Sequence, residues 1–594
     1  MHLQLSLTAR AAAAVALLLP SVAATACYAN FNETEFPHCS LIDNNFALHW
    51  AINNATSPAS IVFGVDVNAS AFSDPWVGLG ISENGGMSGA DLWILKKNAT
   101  GSYVIQDSYA LTAGYPIPDT HQDAQLLEGP QKKGDSNTVF KFSRPLDTCD
   151  QEDATIQSDF RHHIIWAFGE SADSVAKHDV KNRGNTQLVL HPTKTPPPPF
   201  NKALYESIDI VMPSFHVPAQ TTNYNCTHVA LPFSTKRHVV AFEGISSFQG
   251  SLDLVHHIVM WACPKAPNAT VGDVYECLPQ PDDCQHITFV WAPGAGVTEY
   301  PSDAGFPAGP GDGNFLYYSL QVHYNNPTLV NDVVDQSGLR LYYTDKLREN
   351  DIGMLLLGDD SDDFVIPGNS PDFTSTRDGI CPATCTNQFA TDLKVVFNFF
   401  HMHGLGYNMS TRVIRDGNEI TPLGIRKHYD YHFQGSSVPI NPLAVIKPGD
   451  TLITKCTYIP TDASHANRSA NTTYGAGTDA EMCFNFLTYY PAMPGIGSCM
   501  QMSSAKSNNL AYCSSDHDPR VELIQKQYPN GTMKKESMQA MKDAGVLVNA
   551  SMPVFVALKE VSQCALTDQK ASGVVEIGVS VSVALFMVCL VYLM

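Results

Sequence analysis

The chain is 594 residues long, carries a formal net charge of −22, and has 16% charged and 44% hydrophobic residues. This composition can fill large buried cores, so several domains are expected. The acidic balance argues against a nucleic-acid-binding protein, which would carry basic patches. It favours cationic ligands near the surface, although an acidic surface also serves solubility alone.

Residues 1–26 have the composition of a secretory signal peptide. Arg10 precedes the apolar run 11–19, which is too short to span a membrane, and residues 24–26 form an A-x-A cleavage site. A retained anchor is the alternative. We therefore predict entry into the secretory pathway, where disulfides form and the chain's Asn-x-Ser/Thr sequons become glycosylation sites.

Residues 27–192 form the first predicted domain. Short alternating runs separated by turn residues are typical of an antiparallel β-sandwich. The sequence Trp-Val-Gly-Leu-Gly at 76–80, the glycine-rich stretch 85–91, and His178 with Arg183 resemble a DOMON domain. The alternating runs are 46–50, 61–67, 76–81, 92–95, 139–142, 163–168 and 188–191.

The resemblance to DOMON domains raises the question of haem. Some of these domains bind haem b through a methionine and a histidine, and Met87 with His178 is the pair that fits. A methionine beside a glycine turn also packs without binding a cofactor. A haem-bearing first domain would make the chain a cell-surface electron-transfer protein, which is one alternative function.

A proline-rich linker, residues 193–200, follows the first domain. Four consecutive prolines adopt polyproline II and separate domains semi-rigidly.

Two adjacent histidines, His256 and His257, lie in the apolar, β-branched run 253–261, which predicts a buried strand. Successive side chains of a strand point to opposite faces, so both histidines cannot bind one metal from a regular strand. Either a β-bulge redirects one ring, or only one histidine is a ligand. Hydrogen-bonded core histidines are the alternative to a metal site.

Three later strand-like runs carry further metal-binding side chains. His401 and His403 are two residues apart, so both project from one face of their strand. His323 lies near the end of an aromatic strand, and Met482 precedes another. Imidazole suits copper, and a thioether favours Cu(I), so these runs predict copper binding.

These four motifs, in this order and at these separations, resemble the copper type II, ascorbate-dependent monooxygenases, in particular the branch of dopamine β-hydroxylase and the monooxygenase-X proteins. The resemblance covers about residues 201–513. It implies an all-β fold, with jelly-roll-like lobes at 201–344 and 345–513 that face each other across a solvent-filled cleft. It implies one copper on His256, His257 and His323, and a second on His401, His403 and Met482.

The same resemblance implies the chemistry. Ascorbate would supply electrons, dioxygen would supply the oxygen atom, and a small molecule would be hydroxylated at a C–H bond. His401, His403 and Met482 would form the catalytic side of the site. A copper-binding homologue without activity is the remaining alternative, although all six ligand types are present.

The resemblance also implies a disulfide framework, and the secretory route makes one reasonable. Cys149 with Cys564 would tie the first domain to the C-terminal segment, and Cys27 with Cys39 remains as a local pair. The other implied pairs are Cys226 with Cys277, Cys263 with Cys284, Cys381 with Cys499, Cys385 with Cys513, and Cys456 with Cys483.

The C-terminal part divides into two segments. Residues 514–572 carry mixed charge at helical spacing and predict a helical linker without chemistry. Residues 573–594 are strongly apolar and follow small residues, which resembles a GPI-attachment signal, with a membrane helix as the alternative. We therefore predict membrane attachment at the cell surface or in a vesicle lumen. The oligomeric state stays open, a homo-oligomer included.

Strand alternation predicts the substrate pocket. Phe399 shares a face with His401 and His403, and Phe484 and Phe486 share the face of Met482. In the peptidylglycine-hydroxylating branch, polar residues at these places hold a carboxylate, and a carboxylate buried against phenylalanines would lack a partner. The pattern favours a small aromatic or hydrophobic amine. No acidic residue could be assigned to the ammonium group.

Overall fold

A computed structural model describes Cys27 and residues 30–558, except for short internal segments. The predicted signal peptide and the apolar tail lie outside the described residues. The internal segments left out are 134–136, 196–199, 246–253, 264, 268–269, 278–283, 285, 294, 312–313, 362, 369–373, 435–442, 460–469, 476, 478, 494–495, 504–508, 515–519, 521–522, 525–526 and 528–534.

The first domain is a sandwich of two antiparallel sheets, which we call the first sandwich. Its five-stranded sheet has the order β1-β2-β3-β9-β8 and its six-stranded sheet the order β11-β10-β4-β5-β6-β7. The strands are β1 His38–Asp43, β2 Phe46–Asn53, β3 Ser60–Asn68, β4 Trp76–Ser82, β5 Ala90–Lys97, β6 Tyr103–Ala110, β7 Ile117–Pro118, β8 Gln125–Lys133, β9 Asn137–Pro145, β10 Arg161–Gly169 and β11 Arg183–Val189.

Side chains from both sheets fill one core, which includes Phe63 and Phe142 on one side and Trp93 and Trp166 on the other. Six of the seven predicted runs lie within strands of this sandwich. The seventh, 188–191, was placed too late in the sequence, because β11 ends at Val189. Strand β8 was missed because it is an exposed, polar edge strand without an apolar face.

The first lobe pairs a sheet ordered β12-β23-β15-β20-β24, with β19 beside β15, with a sheet ordered β17-β14-β21-β16-β18. A core with residues of both sheets lies between them. The strands are β12 Glu206–Val211, β13 Phe215–His216, β14 Thr222–Ala230, β15 Arg237–Ile245, β16 Val255–Cys263, β17 Val274–Glu276, β18 His286–Trp291, β19 Thr298–Glu299, β20 Ala304–Ala308, β21 Tyr317–Asn325, β22 Val334–Asp335, β23 Gly338–Thr344 and β24 Asn350–Asp351.

The second lobe pairs a seven-stranded sheet, β31-β28-β34-β25-β35-β36-β37, with a four-stranded sheet, β27-β32-β29-β30. The predicted all-β class is confirmed. The elements are β25 Gly353–Asp359, β26 Val365–Ile366, β27 Ser375–Cys381, α1 Ala383–Thr386, β28 Leu393–His401, β29 Gly406–Arg415, β30 Asn418–Arg426, β31 Val445–Ile446, β32 Thr451–Tyr458, β33 Thr472–Thr473, β34 Cys483–Tyr490, β35 Ser498–Ser503, β36 Leu510–Ser514, α2 Lys535–Asp543 and β37 Leu547–Asn549. Short 3-10 turns occupy Val180–Asn182 and Lys202–Leu204.

The segment after Cys513 is more than a helical linker. Helix α2 lies where helical spacing predicted it, but β37 then pairs with β36 and extends the sheet of the second lobe. Strand β37 has only three residues, which is too few to predict a strand from sequence.

The disulfides bind strands within each domain. All five pairs implied within the lobes are formed, and so is Cys27 with Cys39. Cys149 is disulfide-bonded, while Cys564 lies outside the described residues. Such a framework requires an oxidising compartment, such as the secretory pathway. In the described part of the chain, no helix is long and apolar enough to cross a bilayer.

Candidate metal centre

A β-bulge brings the two adjacent histidines together. Along the β16–β21 ladder Val255 pairs with Tyr324 and His257 with His323, which leaves His256 as the extra residue without a register partner. The bulge redirects the side chain that a regular strand would have pointed away. Of the two alternatives left by the sequence, the structure therefore has the bulge, which lets both rings face one point.

Three histidines of the first lobe converge on that point, which we call the first set: His256, His257 and His323. Each offers a ring nitrogen, and these atoms lie within 4.8 Å of one another. The Nδ1 atoms of His256 and His257 are 3.1 Å apart, as expected for two ligands about 2 Å from one metal ion. Both ring nitrogens of His323 are buried without a hydrogen-bond partner among the described residues. A metal ion would satisfy one of these nitrogens, the one that carries the lone pair, so the donor set fits a metal.

Burial keeps the first set neutral. It lowers the pKa of each of the three imidazoles well below the usual value, and the neighbouring histidine rings lower it further. A neutral imidazole keeps a lone pair on one nitrogen, which is the form that binds a metal.

Aromatic rings cover the first set on two sides. The ring of Tyr224 stacks on His323 at a centroid distance of 4.1 Å. Tyr431, from the second lobe, stacks on His256 at 3.8 Å, and its backbone carbonyl accepts a hydrogen bond from His256 Nε2 at 2.9 Å. This bond leaves His256 Nδ1 for the metal.

The second set comprises His401, His403 and Met482. His401 Nδ1 lies 3.0 Å from the side-chain oxygen of Gln434, and His403 Nδ1 lies 2.9 Å from the carbonyl of Ala480. Each Nδ1 therefore donates to its partner, which leaves both Nε2 atoms for a metal. Burial lowers the pKa of His401, and burial together with His401 lowers the pKa of His403 to about 3.

Glu481 braces the second set, and the sequence did not single it out. Its buried carboxylate accepts hydrogen bonds from the backbone N–H groups of His403 at 2.8 Å, Leu405 at 2.6 Å and Met482 at 3.3 Å. One carboxylate thus joins the turn that carries His403 to the start of the strand that follows Met482. Its position next to Met482 was the only available signal.

The two sets are in contact beside a cavity that residues of both lobes line. The rings of His257 and His401 have centroids 5.6 Å apart. Apolar side chains of both lobes pack together there: Val259 and Phe399 belong to one buried cluster, and Phe397 packs in the core of the first lobe. Burial of these side chains holds the lobes together.

An apolar cavity of about 330 Å³ opens beside the second set. Phe399, Phe484 and Phe486, the three side chains predicted to form the pocket, line it together with Met482 and both histidines of the second set. Their rings form a row, since the Phe399–Phe486 and Phe484–Phe486 centroids are 6.1 and 6.2 Å apart.

Asp360 also lines this cavity, and among the described lining residues it is the only carboxylate, without any lysine or arginine. Tyr474 forms a hydrogen bond with its side chain. Burial raises the pKa of Asp360 to about 6, with Asp359 adding to the shift and Tyr474 opposing it. The sequence holds four aspartates within residues 359–363, and nothing local indicates which one faces a cavity.

The proposed haem pair lies on the outer face of the first sandwich. Met87 packs, half-buried, against the cluster that contains Trp76 and Ile165, and the ring of His178 is 6.3 Å from that of Trp76. Neither side chain lines the 330 Å³ cavity or the larger cavity between the first sandwich and the second lobe. Haem binding by this pair stays a prediction.

Comparison with known proteins gives three family matches. Residues 208–331 match the N-terminal domain, and residues 350–513 the C-terminal domain, of the copper type II ascorbate-dependent monooxygenases. Residues 42–169 match the DOMON domain.

Individual relatives that match over most of this chain agree with the family matches. Dopamine beta-hydroxylase of Rattus norvegicus is 31% identical over 474 residues, which cover 77% of this chain and 73% of the relative. DBH-like monooxygenase protein 1 of Homo sapiens is 31% identical, with the same coverage of both chains. Tyramine beta-hydroxylase of Caenorhabditis briggsae is 30% identical over 76% of each chain.

Proposed function

This chain belongs to the copper type II ascorbate-dependent monooxygenases, and we propose that the first set binds one of its coppers and the second set the other. The family uses copper, dioxygen and ascorbate to hydroxylate a small molecule. Bound copper supplies redox chemistry and an open position for oxygen. The protein orients the ligand rings, keeps them neutral and excludes water from around them.

Four of the ligands are supported by the unpaired nitrogens of His323 and by the bonds that commit one nitrogen of His256, His401 and His403. His257 is supported by its 3.1 Å approach to His256, and Met482 by its place in the cavity beside His401 and His403. Replacement of His323 by Ala should remove one of two bound coppers, measured as copper per chain by mass spectrometry. Two coppers retained in that variant would contradict the assignment.

We further propose that the substrate is a small hydrophobic amine. The observation that carries this proposal is a cavity with three phenylalanines, the second set and one carboxylate, Asp360. A carboxylate substrate would face apolar rings and a like charge, whereas an ammonium group would gain an ion pair with Asp360 in an apolar setting. The names of the relatives, dopamine and tyramine beta-hydroxylases, specify arylethylamines of this class.

Asp360→Asn tests the amine. Losing one partner of a buried charge pair costs about 2–5 kcal/mol, so the KM for an arylethylamine should rise by at least roughly tenfold. Turnover of the matching arylalkane without nitrogen should not change. Asp363→Asn is the matched control, because Asp363 lies three residues away, is partly exposed and does not line the cavity. An unchanged KM for the amine in Asp360→Asn would rule out this role.

We also propose membrane attachment through residues 573–594, supported by their apolar composition and by the small residues before them. Phosphatidylinositol-specific phospholipase should release the protein from cells if a GPI group replaces the tail. Retention on the membrane, with a peptide containing Tyr592 still present, would mean a spanning tail instead.

A further inference from the structure

A turn of the first sandwich packs against the second lobe at one defined place. The turn comprises residues 83–89, between β4 and β5, and the partner segment comprises residues 427–433, after β30. Ser88 Oγ donates a hydrogen bond to Asp430 Oδ2 at 2.5 Å, and the backbone N–H of His428 donates to Glu83 Oε2 at 3.0 Å. These bonds join residues more than 340 positions apart in the sequence.

The backbone of the turn lies too close to two side chains of the second lobe for any residue larger than glycine. A Cβ atom at Gly86 would lie 2.6 Å from the ring of Phe433, and one at Gly89 would lie 2.4 Å from the Cβ of His428. Gly89 also has φ +69°, a conformation that favours glycine. The glycines of the turn are therefore explained by the contact with the second lobe.

The turn is held internally, so it can act as a fixed support. Ser82 Oγ accepts hydrogen bonds from the N–H groups of Asn84 and Gly85 and donates to the carbonyl of Gly86. Asn84 Oδ1 accepts from the N–H of Gly86 at 2.8 Å. All four residues are buried. These hydrogen bonds within the turn fix the shape of its first half, from Ser82 to Gly86.

The other side of the 427–433 segment touches the first set. Tyr431 gives His256 both a carbonyl acceptor and a stacked ring. His256 is the bulged residue of β16 and has no register partner in the β21 ladder, so the ladder does not fix its direction. The partner of Nε2 decides where Nδ1 points. The position of Tyr431 thus decides whether His256 faces the other two histidines.

We propose that the turn of residues 83–89 is a positioning element for the first copper: it holds the 427–433 segment so that Tyr431 directs His256 onto the metal. The proposal rests on the ligand assignment made above. It gives the first sandwich a part in copper binding without supplying a ligand and without haem. The contacts form a continuous path from Ser88 through Asp430 and Tyr431 to His256.

The test measures the first copper alone, in the full chain with His401→Ala and His403→Ala as background, which removes both imidazole ligands of the second set. Ser88→Ala removes the hydrogen bond to Asp430, and Gly86→Ala displaces Phe433. Each should weaken Cu(II) binding by roughly tenfold, the lower end of the effect of losing an outer partner of a ligand. Each should also change the copper EPR spectrum, which a loss of stability alone would not do.

The matched control is Gly64→Ala. A Cβ there would lie 2.9 Å from the ring of Phe36, so the variant disturbs the first sandwich without touching the second lobe. It should keep the Cu(II) affinity and EPR spectrum of the background protein. Should Gly86→Ala not fold, Ser88→Ala and Tyr431→Leu carry the test, since Tyr431→Leu removes the stacked ring and keeps the carbonyl.

Unchanged copper affinity and EPR spectrum in Ser88→Ala and Tyr431→Leu would overturn the proposal, and so would equal losses in Gly64→Ala. A failure of the ligand assignment would look different. In that case His323→Ala would leave the copper of the background protein in place, whatever the turn variants do.

Discussion

The two histidine sets differ in what surrounds them. The first set is enclosed by aromatic rings, with Tyr224 stacked on His323 and Tyr431 on His256. The second set is braced by polar groups, Gln434, the carbonyl of Ala480 and the carboxylate of Glu481, and one side of it opens onto the apolar cavity. The cavity reaches the first set and its enclosing rings only at His257 and Tyr224, whereas all three residues of the second set line it.

Under the proposed ligand assignment, this difference would give the two coppers different roles. The first set would hold a copper that exchanges electrons. The second set, with Met482 and the cavity, would hold a copper beside the substrate, because a thioether favours Cu(I). The ring centroids of His257 and His401 are 5.6 Å apart, so the two sets are neighbours.

Met482→Ala should have the largest effect on activity, because it changes the second set and leaves the first set intact. Hydroxylation should fall by more than about 100-fold, beyond the usual effect of losing an outer partner of a ligand, because a ligand itself is lost. The fold and the first copper should survive, since Met482 is only partly buried and lies outside the first set. Product formation, copper per chain and circular dichroism check this. Normal turnover would refute the assignment of Met482.

Phe399→Arg should act on the cavity and on the buried cluster of both lobes to which Phe399 belongs. A guanidinium group among Phe484, Phe486 and Met482 would oppose an ammonium group and would be costly to bury, so kcat/KM for an arylethylamine should fall by roughly 100-fold. The first copper should keep its EPR spectrum. Equal activity of variant and wild type on the amine would show that the substrate lies elsewhere.

The pH dependence should separate the cavity from the metal ligands. Burial raises the pKa of Asp360 to about 6, with Asp359 and Tyr474 as the groups that face it. A protonated Asp360 cannot pair with an ammonium group, so kcat/KM for the amine should fall about tenfold per pH unit below pH 6. Above that pH, Asp360 is ionised and kcat/KM should not depend on pH. The Asp360→Asn variant should not show the fall in kcat/KM below pH 6. If the variant keeps this fall, another group causes it.

Tyr224→Leu should have the smallest effect. A stacked aromatic pair contributes about 0.5–1.5 kcal/mol, so loss of the ring on His323 should weaken the first copper by roughly three- to tenfold. The second copper should not change. Chelator competition, followed for each copper by EPR, measures both, and an equal loss at the second set would show that the sets are not independent.

The sequence predicted much of the fold and where the structure places most of the candidate site residues, for physical reasons. Side-by-side histidines in a buried strand require a bulge to share a metal, and His256 occupies one. The shared direction of His401 and His403 followed from the two-residue period of a strand. Phe399, Phe484 and Phe486 followed from the same alternation and line the cavity together.

The remaining features depend on contacts distant in sequence. Asp360 reaches the cavity because β25 is paired between β34 and β35, and no local pattern distinguishes it from Asp359, which pairs with Arg377. The contact of Ser88 with Asp430 crosses the whole first lobe in sequence. The contact between His257 and His401 likewise depends on packing between the two lobes, which strand periodicity does not describe.

The most direct test of the central claim is product formation by the wild-type protein, loaded with copper and supplied with ascorbate and oxygen, across a panel of arylethylamines, matching arylalkanes and a glycine-extended peptide. The account predicts the highest kcat/KM for an arylethylamine, with one oxygen molecule consumed per hydroxylated product. Faster hydroxylation of the glycine-extended peptide than of every amine would contradict it.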